Sequence, residues 1–123
     1  MAKKNYWVFH IRYRGTWESK GEFLVNSPVQ DVFGIIDELP KGFVDIWSKQ
    51  EFKVNSESVF VMGASFGGTT ALMSSLDSRI KKVVVICPVV DWKDESGEES
   101  NEDLKEQIQV GYPGAHHFNE ENW

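Results

Sequence analysis

The sequence contains little of what several large classes of protein depend on. It has one cysteine in 123 residues, so no internal disulfide can form and a reducing compartment is expected. There are 13 Lys and Arg against 19 Asp and Glu, and the net charge of −6 argues against nucleic-acid or anionic-membrane partners. No apolar run approaches the ~20 residues of a membrane span, and the first residues lack a signal-peptide core. These absences predict a cytoplasmic protein with no nucleic-acid or membrane partner.

The composition is that of an ordinary folded chain. With 41% hydrophobic and 26% charged residues, 123 residues can bury one core but not two. We therefore expect residues 1–123 to form one domain or part of one.

Three apolar runs without alternation indicate strands that are buried on both faces. They span residues 6–11, 59–62 and 83–86, and such runs are typical of parallel strands covered by helices. Cys87 extends the third run, which predicts a buried strand residue rather than a reactive thiol. His10 lies in the first run, where we expect a packed residue that faces the core or a helix.

Helix signals lie between these runs. Ser27 at the N-cap, Pro28 at the first helical position and Gln30 at the capping-box position predict the start of a helix. This helix should run to about Leu39, because Pro40 cannot continue it.

Two further segments complete the pattern. A helix is expected from about residue 67 to residue 75, and the mostly apolar residues 43–47 could form a helical turn packed on the sheet. The resulting order of strand, helix, strand, helix and strand is typical of an α/β protein.

A glycine-rich motif stands where the second strand turns into a helix. Residues 63–68 read Gly-Ala-Ser-Phe-Gly-Gly and follow the apolar run directly, which is the layout of a nucleophile elbow. The turn is so sharp that small residues are needed two positions before and after the serine, and Gly63 and Gly67 occupy those positions. The pattern predicts that Ser65 has a positive φ and is a nucleophile. The alternative is an ordinary glycine-rich turn between a strand and a helix.

Several blocks of the sequence together resemble one fold family. Residues 13–17, the helix from Pro28, residues 61–68 and residues 87–92 look like the α/β-hydrolase fold, in particular its prolyl-oligopeptidase-like peptidase and esterase branch. The resemblance covers about residues 6–91. It implies an α/β fold with a mainly parallel sheet flanked by helices. It also implies that Ser65 is the nucleophile and that the backbone N–H of Phe66 donates to the oxyanion.

No motif in the sequence identifies the family's other catalytic groups, which are the second oxyanion donor, the acid and the histidine. The strand and loop that supply the second oxyanion donor would precede this sequence, and the family's acid and histidine normally follow two later strands. We therefore expect an internal piece of a longer hydrolase, with open sheet edges that favour self-association and marginal stability. On these grounds the chain alone is expected to hydrolyse activated esters no faster than its Ser65→Ala variant and to resist a fluorophosphonate probe.

A few local residues could replace the missing groups. Asp91 follows the third strand and is a candidate acid, although a loop carboxylate is the more frequent role at such a position. His116 and His117 are adjacent, and we take His117 as the candidate base, although neither lies near a recognisable strand end. The histidine pair lacks a matching acid or cysteine set, so no metal site and no cofactor are expected.

The acidic region after the third strand allows two interpretations. Residues 91–106 contain eight acids and predict a solvated loop followed by a short amphipathic helix near Leu104 and Ile108. Alternatively, residues 91–123 form a cap over the serine that selects substrate. The five tryptophans could line a pocket or serve packing alone, and they are Trp7, Trp17, Trp47, Trp92 and Trp123.

Two functions remain from the sequence. The first is a serine hydrolase that acts on an ester or peptide bond through an acyl-enzyme. The second is a non-catalytic remnant, or a half-domain that needs a partner chain.

Overall fold

A computed structural model describes residues 6–55, 57–92, 100–117 and 119–122. The elements in chain order are α1 (Pro28–Glu38), β1 (Phe43–Val44), β2 (Glu51–Phe52), β3 (Val59–Ala64), α2 (Phe66–Ser74), β4 (Ile80–Ile86), α3 (Asn101–Gly111) and a 3₁₀ turn (Glu120–Asn122). The predicted α/β class is confirmed, and so are the three helices predicted near Pro28, residue 67 and Leu104.

The centre of the fold is a strand, helix and strand unit. β3 and β4 pair in parallel, with Val61 opposite Val83 and Ala64 opposite Ile86. α2 connects the two strands and packs on both of them, and α1 packs against α2. The buried apolar residues are Phe23, Val29, Val32, Val54, Ala71, Ile80 and Ala115. The carboxyl ends of β3 and β4 therefore meet at one edge of the sheet, where α2 begins.

The prediction that these strands are buried on both faces is wrong. Burial alternates along each strand. Phe60 and Met62 on β3 are 49% and 59% exposed, and Val84 and Ile86 on β4 are 54% and 52% exposed. The alternation arises because α2 covers one face, whereas on the other face the Tyr6 ring packs edge-on against Phe60 at 6.3 Å and the four side chains stay about half exposed.

The predicted strand at residues 6–11 is also wrong. The segment is not part of any described strand, and Trp7 and Phe9 are 55% and 39% exposed. No described strand pairs with it, so aromatic contacts decide where it lies. The Trp7 ring packs edge-on against Phe52 at 5.4 Å, and the Phe9 ring packs edge-on against Phe43 at 5.6 Å.

Residues 43–47 form part of a hairpin rather than the suggested helical turn. Phe43 of β1 lies opposite Phe52 of β2, and their rings stack at 5.6 Å. Asp45 closes the turn because its carboxylate accepts the backbone N–H groups of Trp47 at 3.0 Å and Ser48 at 2.5 Å. These hydrogen bonds hold the pKa of Asp45 below its usual range. A cross-strand aromatic pair and an Asp turn together outweigh the helical pattern.

The helix caps differ from the expected ones. Ser27 holds the N-cap position of α1 but makes no side-chain capping bond. The capping box lies instead at α3, where the Ser100 hydroxyl accepts the Asp103 N–H at 3.2 Å and the Asp103 carboxylate accepts the Ser100 N–H at 3.1 Å. The Ser100 hydroxyl also donates to the Asp103 carboxylate at 2.8 Å, and this hydrogen bond, together with the one from the Ser100 N–H, holds the pKa of Asp103 below its usual range. No helix among the described residues combines the length and apolar character needed to cross a membrane.

Candidate active site

Ser65 sits in a strained turn between β3 and α2. Its φ of 51° and ψ of −123° lie outside the usual regions for a non-glycine residue, so the predicted positive φ is confirmed. The Ser65 N–H donates to the carbonyl oxygen of Ile86 at 2.9 Å, and the Ser65 carbonyl accepts the Gly68 N–H at 2.8 Å. Both backbone groups are thus tied to the sheet and the helix, and the exposed side chain stands at the sheet edge.

The glycines around Ser65 do not all serve the same purpose. A Cβ atom at Gly63 would overlap the carbonyl group of Gly67, which confirms the expected requirement there. At Gly67 itself a Cβ atom would meet only the Tyr13 hydroxyl at 3.6 Å, so the expected crowding at that position is wrong. Gly68, which the elbow pattern does not require, would bring a Cβ atom to 3.1 Å from Cα of Pro88. The backbone of the turn is therefore closest to its neighbours at Gly63 and Gly68.

Phe66 begins α2 directly after Ser65. The first N–H groups of a helix have no acceptor within the helix and lie at its positive end, so they can stabilise a developing oxyanion. The Phe66 ring packs against the rings of Tyr13 at 5.5 Å, Phe23 at 5.6 Å and Trp92 at 5.8 Å. These contacts fix the residue that carries the predicted oxyanion donor.

A cavity of about 980 Å³ opens beside Ser65 and Phe66. Its walls come from parts of the segments 10–17 and 23–29, from the first two turns of α2, from Val89 and Trp92, and from α3. Leu104 and Ile108 are the apolar α3 residues that line it. The volume lies within the ~300 to 1,000 Å³ that is usual for small-molecule sites.

The carboxyl-terminal segment brings His116 into this cavity. An isolated antiparallel bridge joins His116 to Thr16. On either side of it, the Trp17 N–H donates to Ala115 and the His117 N–H donates to Gly15, each at 2.7 Å. The His116 ring packs edge-on against Phe23 at 5.0 Å and lines the cavity with Ser65.

The environment of His116 favours its neutral form. Burial, and to a smaller extent the neighbouring His117, lower the pKa of His116 below its usual value. A neutral imidazole at pH 7 has the lone pair that a general base needs. The sequence contains no signal for this placement, because it depends on pairing with residues near the other end of the chain.

The candidate base and the candidate acid that the sequence favoured both lie outside the cavity lining. His117 is exposed, does not line the cavity, and has its Nδ1 at 3.3 Å from the carbonyl oxygen of Gly21. Asp91 is exposed and is not a lining residue, although the adjacent Trp92 is. His10 lines the cavity but is exposed, so the prediction of a packed residue is wrong.

Cys87 also differs from its prediction. β4 ends at Ile86, and Cys87 follows it with a positive φ of 44° and an exposed side chain. The predicted buried strand residue is therefore wrong, because the chain leaves the sheet one residue earlier. Within the described part of the chain, no three ligand-type side chains converge on a metal site.

Two of the five tryptophans line the cavity, and these are Trp17 and Trp92. Trp7 packs against the hairpin, and Trp47 is 85% exposed. Trp123, Phe118 and residues 93–99 of the acidic segment fall outside the described residues, as do residues 1–5.

Comparison with known proteins gives a family match. A family model described as X-Pro dipeptidyl-peptidase (S15 family) matches residues 1–108, a span that contains Ser65 but not His116. Neither the curated proteins nor the solved structures give a significant match. Because the family model covers most of the chain, including its elbow, the protein belongs to the X-Pro dipeptidyl-peptidase family S15 of the α/β-hydrolase clan.

Proposed function

We propose that the protein acts through Ser65 as a serine hydrolase on an ester or peptide bond. The observation that carries this proposal is the strained φ of 51° at Ser65, at the edge of a cavity and one residue before the helix N-terminus. Ser65 Oγ attacks the carbonyl carbon and loses its proton to a base, while the carbonyl oxygen accepts the Phe66 N–H. The leaving group departs with that proton, and water then hydrolyses the acyl-enzyme.

The same proposal assigns the base, the orienting acid and the cap. His116 is supported as the base because it lines the cavity with Ser65, and His117 is the alternative that the sequence favoured. Asp91 is proposed as an orienting carboxylate. Helix α3 contributes Leu104 and Ile108 to the cavity, which supports the proposed cap formed by residues 91–123.

The family match supports one class of substrate, whereas the branch of the fold family and the cellular location are proposals. The matching family is described as X-Pro dipeptidyl-peptidases, so an X-Pro peptide bond is among the proposed substrates. We also propose that the protein is related to the prolyl-oligopeptidase-like branch and that it is cytoplasmic.

The alternative function is a non-catalytic remnant or a half-domain that needs a partner chain. Two observations favour it. No motif identifies a second oxyanion donor, and the described chain leaves one face of β3 and β4 open. This alternative predicts that Ser65 is unreactive in the isolated chain.

A fluorophosphonate probe separates the two functions. From the sequence alone no labelling is expected, but the position of His116 changes that expectation to slow labelling of Ser65. Ser65→Ala should abolish the mass increase, and Ser75→Ala, which changes an exposed serine at the end of α2, should retain it. An unlabelled native chain would favour the non-catalytic alternative.

A further inference from the structure

We propose that Glu22 is a positioning residue, which holds His116 in the Ser65 cavity by binding the segment that follows this histidine. The inference rests on the proposed function, because it takes His116 as the base that acts on Ser65. The backbone pairing next to His116 and two side chains that reach Glu22 support it.

The backbone on the carboxyl side of His116 is tied to two different segments. The His117 N–H donates to the carbonyl oxygen of Gly15 at 2.7 Å, and the His117 carbonyl oxygen accepts the Phe23 N–H at 2.9 Å. Phe23 is also the residue whose ring packs against the His116 ring at 5.0 Å. The position of the His116 imidazole therefore depends on the pairing of His117 with both segments.

Little regular structure supports this pairing. Among the residues that the structure describes after α3, the only regular features are the isolated bridge at His116 and the 3₁₀ turn at Glu120–Asn122. Such a segment opens by local fluctuation at low cost, because few contacts must break together. Contacts beyond His117 are therefore needed to keep the bridge closed.

Glu22 supplies these contacts through one carboxylate oxygen. The side-chain amide of Asn119 donates to Glu22 Oε2 at 3.1 Å, and that of Asn122 donates to the same atom at 3.4 Å. A carboxylate is a stronger acceptor than a neutral oxygen, and both asparagines are half-buried. Because Glu22 immediately precedes Phe23, these bonds extend the pairing between Phe23 and His117. We call Glu22 and the two asparagines the clamp.

The 3₁₀ turn presents both amides to Glu22. Asn119 Oδ1 accepts the Glu121 N–H at 3.1 Å, and the backbone carbonyl oxygen of Asn119 accepts the Asn122 N–H at 2.9 Å. Since its Oδ1 is engaged within the turn, Asn119 offers its amide nitrogen to Glu22. The family match ends at residue 108 and gives no information about this clamp.

Two substitutions at Glu22 test the clamp. Glu22→Ala removes the acceptor and should slow fluorophosphonate labelling of Ser65 by about fivefold or more. Glu22→Gln should stay within about twofold of the native rate, because both asparagines donate to one oxygen and the glutamine carbonyl can replace it. Glu121→Ala is the matched control, since it removes the same charge from an exposed side chain in the same turn.

A double-mutant cycle shows whether Glu22 acts through His116. In the His116→Gln background, Glu22→Ala should cause no further loss of labelling rate, because the base that the clamp positions is absent. Thermal denaturation verifies that each variant is folded. Hydrogen exchange reports on the clamp independently of activity. Glu22→Ala should speed exchange of the His117 amide by about fivefold or more and leave the amides of α2 unchanged.

Five outcomes would overturn the proposal. They are a native labelling rate in Glu22→Ala, an equal loss in Glu22→Gln, an equal loss in Glu121→Ala, an equal loss in the His116→Gln background, and unchanged exchange of the His117 amide. Failure of the proposed hydrolase function is a different result, in which Ser65 of the native chain does not react with the probe. That result would overturn the role of Glu22 as well, even where Glu22→Ala speeds exchange of the His117 amide.

Discussion

The antiparallel bridge between Thr16 and His116 joins the two ends of the described chain at the wall of the Ser65 cavity. The bridge is supported by backbone hydrogen bonds on both sides, from the Trp17 N–H to Ala115 and from the His117 N–H to Gly15. His116 lies beyond residues 1–108, the span that the family model matches. The family match therefore gives no information about this histidine, and its proposed role rests on the contacts that it makes in this chain.

We predict that the two adjacent histidines differ in their effect on Ser65. His116→Gln should slow fluorophosphonate labelling of Ser65 by at least about 100-fold, because a positioned base contributes 10²- to 10⁴-fold. His117→Gln should leave the rate nearly unchanged, because this side chain is exposed and outside the cavity. Labelling kinetics followed by mass spectrometry measure both. The reverse order would assign the base to His117.

The pH dependence of labelling should show the lowered pKa of His116. Burial disfavours the charged imidazolium, so the base stays neutral to a lower pH than an ordinary histidine, whose pKa is about 6.5. The midpoint of the decline in rate should therefore lie below pH 6.5. A profile with a midpoint above 6.5 would contradict this. In His116→Gln the same decline should be absent.

Glycine substitutions should locate the crowded point of the elbow. Gly63→Ala is expected to destabilise the fold by about 1 to 3 kcal/mol or more, because the new Cβ atom meets the backbone of Gly67. Gly67→Ala should change stability by less than about 1 kcal/mol, since its Cβ atom has ordinary contact distances. Thermal denaturation measures both. An equal loss in the two variants would mean that both glycines are sterically required.

The elbow could be predicted from the sequence because its requirements are local. The strained Ser65, the small residue at Gly63 and the following helix are all consequences of one sharp turn. The helix from Pro28 could be predicted equally well, since a proline at its first position and a proline after its end mark its limits.

What could not be predicted depends on contacts between distant segments. Residues 6–11 have the composition of a strand, but a strand also needs a partner, and no described strand pairs with them. The hairpin at Phe43 depends on its pairing with Phe52. His116 could not be assigned to the cavity because nothing near it in the sequence indicates the bridge to Thr16.

An ion-pair cluster should make stability depend on pH in the acid range. Arg79, just before β4, donates to Asp77 at 2.6 Å and also pairs with Asp37 of α1. Its hydrogen bonds lower the pKa of Asp77 to about 2. The folded state therefore holds fewer protons, so this stabilisation is complete above about pH 4 and is lost between about pH 4 and pH 2.

Melting temperatures measured between pH 7 and pH 2 check this effect. Arg79→Gln should lower the melting temperature at pH 7 and reduce its fall toward pH 2. Lys41→Gln is the control, because the Lys41 pair with Glu38 is 64% exposed on both sides and contributes little. Equal acid sensitivity of Arg79→Gln and the native chain would contradict the assignment.

The open face of β3 and β4 should cause self-association. Phe60, Met62, Val84 and Ile86 are each about half exposed on one side of the sheet, and such apolar patches are typical of interaction surfaces. Sedimentation velocity should show an average mass that rises with concentration. Val84→Lys should suppress this rise, because a charge in the middle of the patch would have to be desolvated on association. Leu76→Lys, at an 88% exposed position beyond the end of α2, should not. A monomer at all concentrations, or an equal effect of the two substitutions, would show that this face is not the cause.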